Sequence, residues 1–401
     1  MNKFCFVIHP VSFDDVARYE PGAVGKGQAI IAKILEWMPS YAAAHVTGVR
    51  TPDGRETEGW FVAAPLLPSQ MLELPREEVF ERIVRAIQIG IDLGAQIAGL
   101  GAFTGVVGDG GITIAERVPI PVTTGNSLTI AAGVASLFRG AEEMEIDASQ
   151  ATAVVVGATG SIGAACVQLI APRVREIILV ARNETRLRKF YATIENRLPC
   201  VSSYTTDLSS AVRRGDLILT ATSSTQEIVQ PEDLRVGAVV CEVSLPHDVS
   251  RRVSTERPDV LVLEGGNMRM PGNPKIMRVR EPGQEFNLGL APGTALACMS
   301  ETMTLALANR LESYTLGRGV QVEKVIEIDR LARQAGFELA DLRAFDVAIT
   351  PEQIEKTREA AAALRLRDAS HRSAQRDNGT MICADTRKQR VVAAPPGAER
   401  H

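Results

Sequence analysis

The fold is decided by the stretch Ala153-Val154-Val155-Val156-Gly157-Ala158-Thr159-Gly160-Ser161-Ile162-Gly163. A strand pattern made almost wholly of valine runs into three glycines spaced G-x-x-G-x-x-G, and an apolar helix pattern begins immediately after them. Gly157 permits a tight turn, Gly160 lets the backbone approach a pyrophosphate, and Gly163 allows close packing of the helix on the strand. The free N–H groups of the helix start face the anion. The stretch therefore predicts a Rossmann-type dinucleotide site.

The residues after the second strand indicate which dinucleotide is bound. Folds that prefer NAD usually carry Asp or Glu there, to bind the ribose 2′-hydroxyl. Here Arg182 and Asn183 follow the strand, and Arg186 lies one turn further on. A guanidinium can bind the additional 2′-phosphate of NADPH through charge-assisted hydrogen bonds. NADPH is therefore the predicted cofactor, and the alternative is that Arg182 is only a solvated charge.

A later strand ends at the same edge of the predicted sheet in a run of small hydroxyl residues. They are predicted to line the pyrophosphate or the nicotinamide ribose, unless they only cap the next helix. The predicted cofactor-binding residues are Gly157, Thr159, Gly160, Ser161, Ile162, Gly163, Arg182, Asn183, Arg186, Thr222 and Ser223.

Strand and helix patterns alternate along the chain from residue 151, which predicts a parallel sheet with right-handed crossovers. The predicted fold class is α/β, with a Rossmann-type parallel-sheet domain, an N-terminal α/β substrate domain and a C-terminal helical segment. The predicted bounds are 1–147 for the substrate domain, 148–287 for the Rossmann NADP-binding domain, 288–350 for the helical segment and 351–401 for a polar, disordered tail.

Composition excludes several classes of protein. The 401 residues are 45% hydrophobic and 23% charged, as in globular chains. A net charge of −4 and only 4% aromatic residues argue against a nucleic-acid partner. No apolar run near the start is long enough for a signal-peptide core or a spanning helix, so we expect a cytoplasmic protein without a transmembrane segment. Six scattered cysteines and five histidines show no zinc-site spacing, and no metal is predicted.

The usual residues for alcohol oxidation are missing. No tyrosine is followed by lysine at the spacing Tyr-x-x-x-Lys that short-chain dehydrogenases use. Shikimate-type dehydrogenases use a lysine in the substrate domain, but the first 150 residues contain only Lys3, Lys26 and Lys33, none of them in a polar cluster with an acid. Oxidation of an alcohol therefore lacks its usual base.

A thiol remains as the candidate for catalysis. The segment from Pro292 to Cys298 resembles a helix start with Thr294 as N-cap, which places Cys298 about one turn from the positive end of the helix dipole. That position predicts a lowered pKa and a thiolate able to attack a thioester. The alternative is that Cys298 is a small core residue.

Most of residues 1–340 resemble the long-chain acyl-[acyl-carrier-protein] reductases known from cyanobacteria. The segments that carry the resemblance include Thr123-Thr124-Gly125-Asn126, Val155-Val156-Gly157-Ala158-Thr159-Gly160, Ala181-Arg182-Asn183, Ala297-Cys298 and Leu316-Gly317-Arg318. The resemblance implies a cytosolic NADPH-dependent enzyme that takes a fatty acyl group onto Cys298 and reduces it to a fatty aldehyde. Residues 242–248 and 264–267 keep only the general form of the family's segments, so the expected acyl donor is acyl carrier protein or coenzyme A.

Asn126, Ser127 and Thr129 lie at a predicted strand-to-helix junction. Their donors are predicted to hold the thioester carbonyl and stabilise an oxyanion, unless Asn126 or Ser127 only caps the helix. His9 follows an apolar strand, where it either donates to a substrate or is a structural residue. The other functions left open are an NADP-dependent alcohol or hydroxy-acid dehydrogenase of the shikimate-dehydrogenase-like type, and a non-catalytic NADPH-binding protein.

Overall fold

The computed structural model describes residues 1–367. The strands are β1 Lys3–Ile8, β2 Tyr41–Arg50, β3 Glu56–Ala63, β4 Ile97–Leu100, β5 Val122–Thr123, β6 Thr152–Val156, β7 Glu176–Val180, β8 Val201–Thr205, β9 Leu217–Thr220, β10 Val239–Glu242, β11 Leu261–Glu264, β12 Asn267–Arg269, β13 Gly272–Arg278, β14 Thr294–Leu296, β15 Glu338–Leu339, β16 Arg343–Ala344 and β17 Val347–Ala348.

The α-helices lie between and after these strands. They are α1 Phe13–Tyr19, α2 Gln28–Trp37, α3 Pro68–Glu73, α4 Arg76–Asp92, α5 Ile112–Arg117, α6 Asn126–Glu143, α7 Ser161–Ile170, α8 Glu184–Ile194, α9 Leu208–Val212, α10 Val253–Glu256, α11 Ala297–Leu307, α12 Val322–Ala335 and α13, residues 351–367.

The first sheet has the strand order β13-β2-β3-β1-β4-β5. Its centre is parallel, since β1 pairs in parallel with both β3 and β4, and β2 forms an antiparallel hairpin with β3. Helix α4 packs on one face through Val79, Ile83 and Ile87, the apolar stripe that its three- and four-residue spacing predicts. The carboxyl ends of β1 and β4 carry the loops that reach the cleft described below.

The second sheet has the order β11-β10-β9-β6-β7-β8, and all its pairings are parallel. All five residues of β6 are buried, as a strand covered by helices on both faces requires. The chain goes from β6 to β7 on one side and returns to β9 on the other, so the strand order reverses at β6. This arrangement confirms the predicted α/β class with a Rossmann-type domain.

The predicted end of the Rossmann domain at residue 287 differs from the structure. The parallel sheet finishes at β11, and β13 instead pairs antiparallel with β2 at the edge of the first sheet. Edge pairing of this kind leaves one side of the strand exposed, so β13 lacks the continuous apolar run that marks a buried strand such as β6.

Helices α6 and α11 lie at the centre of the molecule. Helix α6 contacts α7, β10 and β11 of the parallel sheet, and it also contacts α11 and α12. Helix α11 contacts β1 and β4 of the first sheet, and almost all of its residues are buried. The first turns of these two helices therefore meet where the two sheets face each other.

The prediction of a disordered tail is wrong for residues 351–367, which form α13. Ile354 and Ala361 lie two turns apart on one face and are buried in the core of the Rossmann domain. Two buried residues in a largely charged segment give too weak an apolar pattern for a helix to be predicted from the sequence. The rest of the predicted tail, residues 368–401, lies outside the described residues. Within residues 1–367, no helix has the length and apolar character needed to cross a membrane.

Candidate active site

A cleft of about 350 Å³ opens at the carboxyl edge of the parallel sheet. Its walls come from the turn after β6, the end of β9, the loop after β10, the first turn of α6 and the start of α11. This is the edge, next to a reversal of strand order, at which open α/β sheets bind their ligands.

The glycine turn after β6 has the close contacts that a dinucleotide site requires. Gly157 has φ of +84°, and a Cβ there would lie 2.3 Å from the carbonyl oxygen of Ala221. A Cβ on Gly163 would lie 2.3 Å from the carbonyl oxygen of Gly157. Gly160 lines the cleft, and a Cβ there would lie 3.2 Å from the carbonyl oxygen of Gly157. The turn fits a bound pyrophosphate.

The structure brings most of the predicted cofactor residues to the cleft, where Ser161, Ile162, Arg186, Thr222 and Ser223 line the wall together with Gly160. Thr159 contributes its carbonyl oxygen, which accepts a hydrogen bond of 2.6 Å from the Arg186 guanidinium. Asn183 caps α8, because its side chain accepts from the backbone N–H of Arg186 at 2.9 Å. Arg182 is exposed directly after β7.

A buried carboxylate fixes the loop at the end of β9. Asp248 is fully buried, and its Oδ1 accepts a 2.5 Å hydrogen bond from the hydroxyl of Thr222. The Ser244 hydroxyl donates to Asp248 and accepts from the backbone N–H of Thr222. Burial raises the pKa of Asp248, although these hydrogen bonds oppose that rise. The network fixes Thr222 at the cleft wall, where Ser223 is its neighbour, and the sequence analysis did not predict it.

Cys298 is the second residue of α11 and faces the cleft. Thr294 is not the N-cap as predicted: it lies in β14, and its hydroxyl donates to the carbonyl of Ala291 at 2.6 Å. The expected lowering of the thiol pKa is also wrong. Burial raises the pKa of the Cys298 thiol to about 12, and the weaker opposing effect comes from the backbone N–H groups of Cys298 and Met299. Burial therefore disfavours the thiolate form of Cys298.

The segment before α6 packs directly on the cysteine. Gly125 has φ of +73°, and a Cβ there would lie 2.3 Å from the Cα of Cys298. The next residue, Asn126, opens α6 and lines the cleft. The first N–H groups of α6 and the Asn126 side chain thus lie beside the thiol, which suits them to a carbonyl oxygen bound there.

Thr129 and Ser127, the other two predicted oxyanion donors, differ in whether they reach the cleft. Thr129 lines the cleft, but its hydroxyl donates to the carbonyl of Gly125 at 2.9 Å. Ser127 is fully buried, with its hydroxyl 2.8 Å from that of Thr315. The structure therefore corrects the prediction for Ser127, because the first turn of α6 points this side chain into the protein and not toward the cleft.

A second buried carboxylate joins α11 to the start of α6. Glu301 has no exposed surface and accepts hydrogen bonds from the hydroxyls of Thr123 (2.5 Å) and Thr315 (2.9 Å) and from the backbone N–H of Leu128 (2.9 Å). Burial is the main cause of its raised pKa. Glu301 caps α6 from another helix and so sets the position of Asn126 relative to Cys298.

Replacing Glu301 by alanine is expected to cost about 3 kcal/mol of unfolding free energy, because it leaves three buried donors without their acceptor. Glu301→Gln keeps the size and one acceptor oxygen, and we expect an intermediate loss. Urea unfolding followed by circular dichroism measures both. The exposed Glu281 provides the control, since Glu281→Ala should leave the midpoint unchanged. A loss below about 1 kcal/mol for Glu301→Ala contradicts the capping role.

A second cavity of about 390 Å³ lies on the other side of Cys298. The two cavities share six lining residues, which form the junction between them: Ala102, Leu245, His247, Glu264, Leu296 and Cys298. Beyond this junction the second cavity is lined by apolar side chains such as Ile8, Leu288 and Leu290, and by charged groups of α1. A substrate in the second cavity and a nucleotide in the first would meet at Cys298.

Two histidines line the second cavity, and they have different environments. His9 is buried, its Nδ1 lies 3.0 Å from the Pro10 carbonyl, and its Nε2 accepts from the backbone N–H of Phe103 at 3.0 Å. Burial lowers the pKa of His9 to about 4, so it is a neutral structural residue. His247 lies at the junction, and its Nδ1 is 2.7 Å from Glu242 Oε2.

Sequence reasoning had missed the pair of Glu242 and His247. The available signal was an acidic residue at the end of β10 with a histidine five residues later on the same sheet edge. Among residues 1–367, no cluster of three or more His, Cys, Asp or Glu side chains has the arrangement of a metal site.

Comparison with known families supports the nucleotide domain. A family model described as shikimate / quinate 5-dehydrogenase matches residues 140–262, a range that runs from α6 through β6 to the start of β11 of the parallel sheet. With the glycine turn and the cleft, this match supports an NAD(P)-dependent oxidoreductase.

Two relatives match a larger part of the chain. Aminotransferase PigE of Serratia sp. is 30% identical over 307 residues, which are 76% of this chain and 35% of that protein. The chain thus spans about a third of the length of PigE. Long-chain acyl-[acyl-carrier-protein] reductase of Synechococcus elongatus is 25% identical over 305 residues, which are 72% of this chain and 85% of that protein.

Two solved structures each resemble a part of the chain. Delta(1)-pyrroline-2-carboxylate reductase of Thermococcus litoralis matches with 16% identity and a TM-score of 0.26, over 29% of this chain and 36% of that one. The nucleotide-binding domain of glutamyl-tRNA reductase from Thermoplasma volcanium matches with 21% identity and a TM-score of 0.25, over 33% of this chain and 84% of that one.

Proposed function

We propose that the protein is an NADPH-dependent reductase that converts a long-chain fatty acyl thioester to a fatty aldehyde through an acyl group carried on Cys298. The observation that carries the proposal is the position of Cys298, which lines both the nucleotide cleft and the second cavity. An acyl group bonded to this sulfur has space on one side for its chain and on the other for the nicotinamide.

The nucleotide is held by the glycine turn, by the first turn of α7 and by the end of β9. When bound there, NADPH supplies the hydride that reduces the acyl carbon. Arg182 and Arg186 bind its 2′-phosphate, because they stand where folds that prefer NAD carry an acid. Thr222 and Ser223 orient the nicotinamide ribose through the position that Asp248 gives them.

Arg182→Asp is expected to raise the KM for NADPH about 10- to 100-fold while the KM for NADH changes little, because the loss of one charge-assisted contact costs 1.5–3 kcal/mol. Initial-rate measurements with both nucleotides test this. Arg188→Asp is the control, since Arg188 is an exposed arginine on α8, beyond the end of β7 where the acid of NAD-preferring folds stands. Equal effects of the two substitutions would contradict a phosphate contact at Arg182.

The side chains near Cys298 have separate tasks in the proposed reaction. The thiolate attacks the thioester carbonyl and releases the carrier thiol. Asn126 and the first N–H groups of α6 stabilise the oxyanion that forms. Thr129 shapes the same wall of the cleft. The second cavity limits the length of the acyl chain. The acyl donor is acyl carrier protein or coenzyme A, as the likeness to the Synechococcus reductase suggests.

In this proposal the first α/β unit, predicted at residues 1–147, binds the acyl group, because β1, the loop after β4 and α1 line the second cavity. The Rossmann unit, predicted to start at 148, binds the nucleotide. The segment from 288 to 350 provides α11, which carries the nucleophile between them.

The proposal is tested by intact-mass spectrometry after incubation with palmitoyl-CoA or palmitoyl acyl carrier protein and no NADPH. We expect one palmitoyl adduct that maps to Cys298 and disappears when NADPH is added, with release of the aldehyde. Cys200→Ala should behave as the wild type, because Cys200 precedes β8 and lies away from both cavities. Absence of the adduct, or its formation in Cys298→Ala, would contradict the proposal.

A second candidate function is favoured by the match to the shikimate / quinate 5-dehydrogenase model over residues 140–262. In that case the protein oxidises an alcohol or hydroxy acid with NADP, and Cys298 only packs at the cleft. The discriminating result is turnover of such a substrate by Cys298→Ala at the wild-type rate.

A further inference from the structure

We propose that His247 is the acid–base residue of this site, that it removes the proton from the Cys298 thiol, and that Glu242 positions it. The inference rests on the proposed function for its substrate, but the pairing of His247 with Cys298 is tested separately below. Three features of the site support this role: the orientation of His247, its place at the junction between the cavities, and the environment of the Cys298 thiol.

Glu242 fixes the orientation of the imidazole. Its carboxylate is buried at the end of β10, where Oε1 accepts the backbone N–H groups of Asp248 and Val249, the latter at 2.9 Å. The other oxygen, Oε2, lies 2.7 Å from Nδ1 of His247. Because a carboxylate only accepts hydrogen bonds, Nδ1 carries the hydrogen and Nε2 is left as the basic nitrogen. The ring also packs against Phe345, with centroids 5.9 Å apart.

His247 is the group at the junction that is suited to accept a proton. It lines both cavities, as Cys298 does. Glu264 also lines both, but its carboxylate is held by Arg343 at 2.8 Å and by the backbone N–H of Asp346 at 2.6 Å. Both ring nitrogens of His9 are occupied. Within residues 1–367, no hydrogen-bond partner is found for Nε2 of His247, so this nitrogen is free to take up a proton in the cavity that Cys298 also lines.

The proton transfer balances without another reagent. Nε2 takes the proton of the Cys298 thiol, and the thiolate forms a bond to the carbonyl carbon of the acyl thioester. The bond from that carbon to the carrier sulfur then breaks, and the departing thiolate takes the proton from the imidazolium. An acyl thioester and the Cys298 thiol become acyl-Cys298 and the carrier thiol, and His247 returns to its neutral form.

The surroundings of His247 set the pH at which it acts. Burial opposes protonation of His247, but the hydrogen bond and charge of Glu242, together with Glu264 and Asp346, outweigh it and raise the pKa above 6.5. Arg251 and Glu227 face the same cavity with opposite charges. Since the base must be neutral, acylation is slow below the His247 pKa and rises with pH through it.

The test measures two reactions of Cys298 over pH 5–10 in the full-length protein: alkylation by iodoacetamide, and acylation by palmitoyl-CoA without NADPH. His247→Gln is expected to slow acylation about 10²–10⁴-fold and to remove the inflection from both pH profiles. Glu242→Gln should keep an inflection but move it to lower pH. His45→Gln is the matched control, because His45 lies on β2 outside both cavities, and circular dichroism reports correct folding of every variant.

The two reactions separate this inference from the proposed function. If the wild type is alkylated with an inflection that His247→Gln removes, the histidine acts on the thiol even when no acyl thioester reacts. If folded His247→Gln keeps the wild-type pH profiles and its rates stay within about threefold, the inference is overturned while acylation of Cys298 stands.

Discussion

Cys298→Ser lowers kcat/KM for acyl-thioester reduction by about 10³-fold or more in our expectation, because loss of a covalent nucleophile removes the entire acyl-transfer route. The hydroxyl of serine is a far weaker nucleophile than sulfur, and the ester that it would form is a poor acceptor of hydride. NADPH affinity should stay within about twofold of the wild type, since the proposed nucleotide contacts lie in the glycine turn, in α7, at the end of β9 and at the two arginines, and serine keeps the size of cysteine. Steady-state rates and fluorescence titration measure the two effects.

The control for this substitution is Cys200→Ala, which should leave kcat/KM unchanged. A Cys298→Ser variant that retains more than a tenth of wild-type activity would show that the thiol is a packing residue. In that outcome the family likeness would apply to the fold and not to the chemistry.

Gly125→Ala should disrupt both stability and activity. At φ of +73° any other residue is strained, and the added Cβ would lie 2.3 Å from the Cα of Cys298. Left-handed strain costs about 1–2 kcal/mol, and overpacking adds about 1–3 kcal/mol. We expect a loss of about 2–5 kcal/mol in unfolding free energy, and a displaced thiol with strongly reduced turnover in the protein that still folds.

Gly54→Ala separates strain from contact. Gly54 has φ of +90°, but no atom lies within 4 Å of a Cβ built there. Urea unfolding should therefore show only the strain cost at Gly54, with normal turnover. If the two alanine variants lose the same stability and the same activity, Gly125 has no special relation to Cys298.

The fold class followed from the sequence because its strongest elements are locally determined. The strand β6, the glycine turn and α7 are set by a valine run and by glycines whose contacts admit no side chain. Elements whose pattern depends on distant partners were missed or misjudged: β13 at a sheet edge, β8 as a half-exposed strand, and α13 with its sparse apolar face.

The site was predicted less completely than the fold. The glycine turn and Cys298 could be found from local motifs and from the family likeness. The direction of the Cys298 pKa shift could not be predicted in this way. It is set mainly by burial, which depends on tertiary packing and not on the local helix start. Ser127 illustrates the same limit, because the rotation of α6 decides which of its first residues face the cleft.

Glu242 and His247 were missed for a different reason. A single acid and a single histidine have no diagnostic spacing, and their pairing depends on a loop that folds back onto the end of β10. Their relation to Cys298 becomes visible only when the two cavities are compared.

The most direct test is a single turnover that starts from isolated palmitoyl-enzyme. Deuterated NADPH, labelled at the transferable position of C4, is added without free thioester. The proposed chemistry predicts palmitaldehyde in an amount equal to the Cys298 adduct, with one deuterium at C1. Release of palmitic acid, or of aldehyde without deuterium at C1, would contradict reduction of an acyl group bonded to that sulfur.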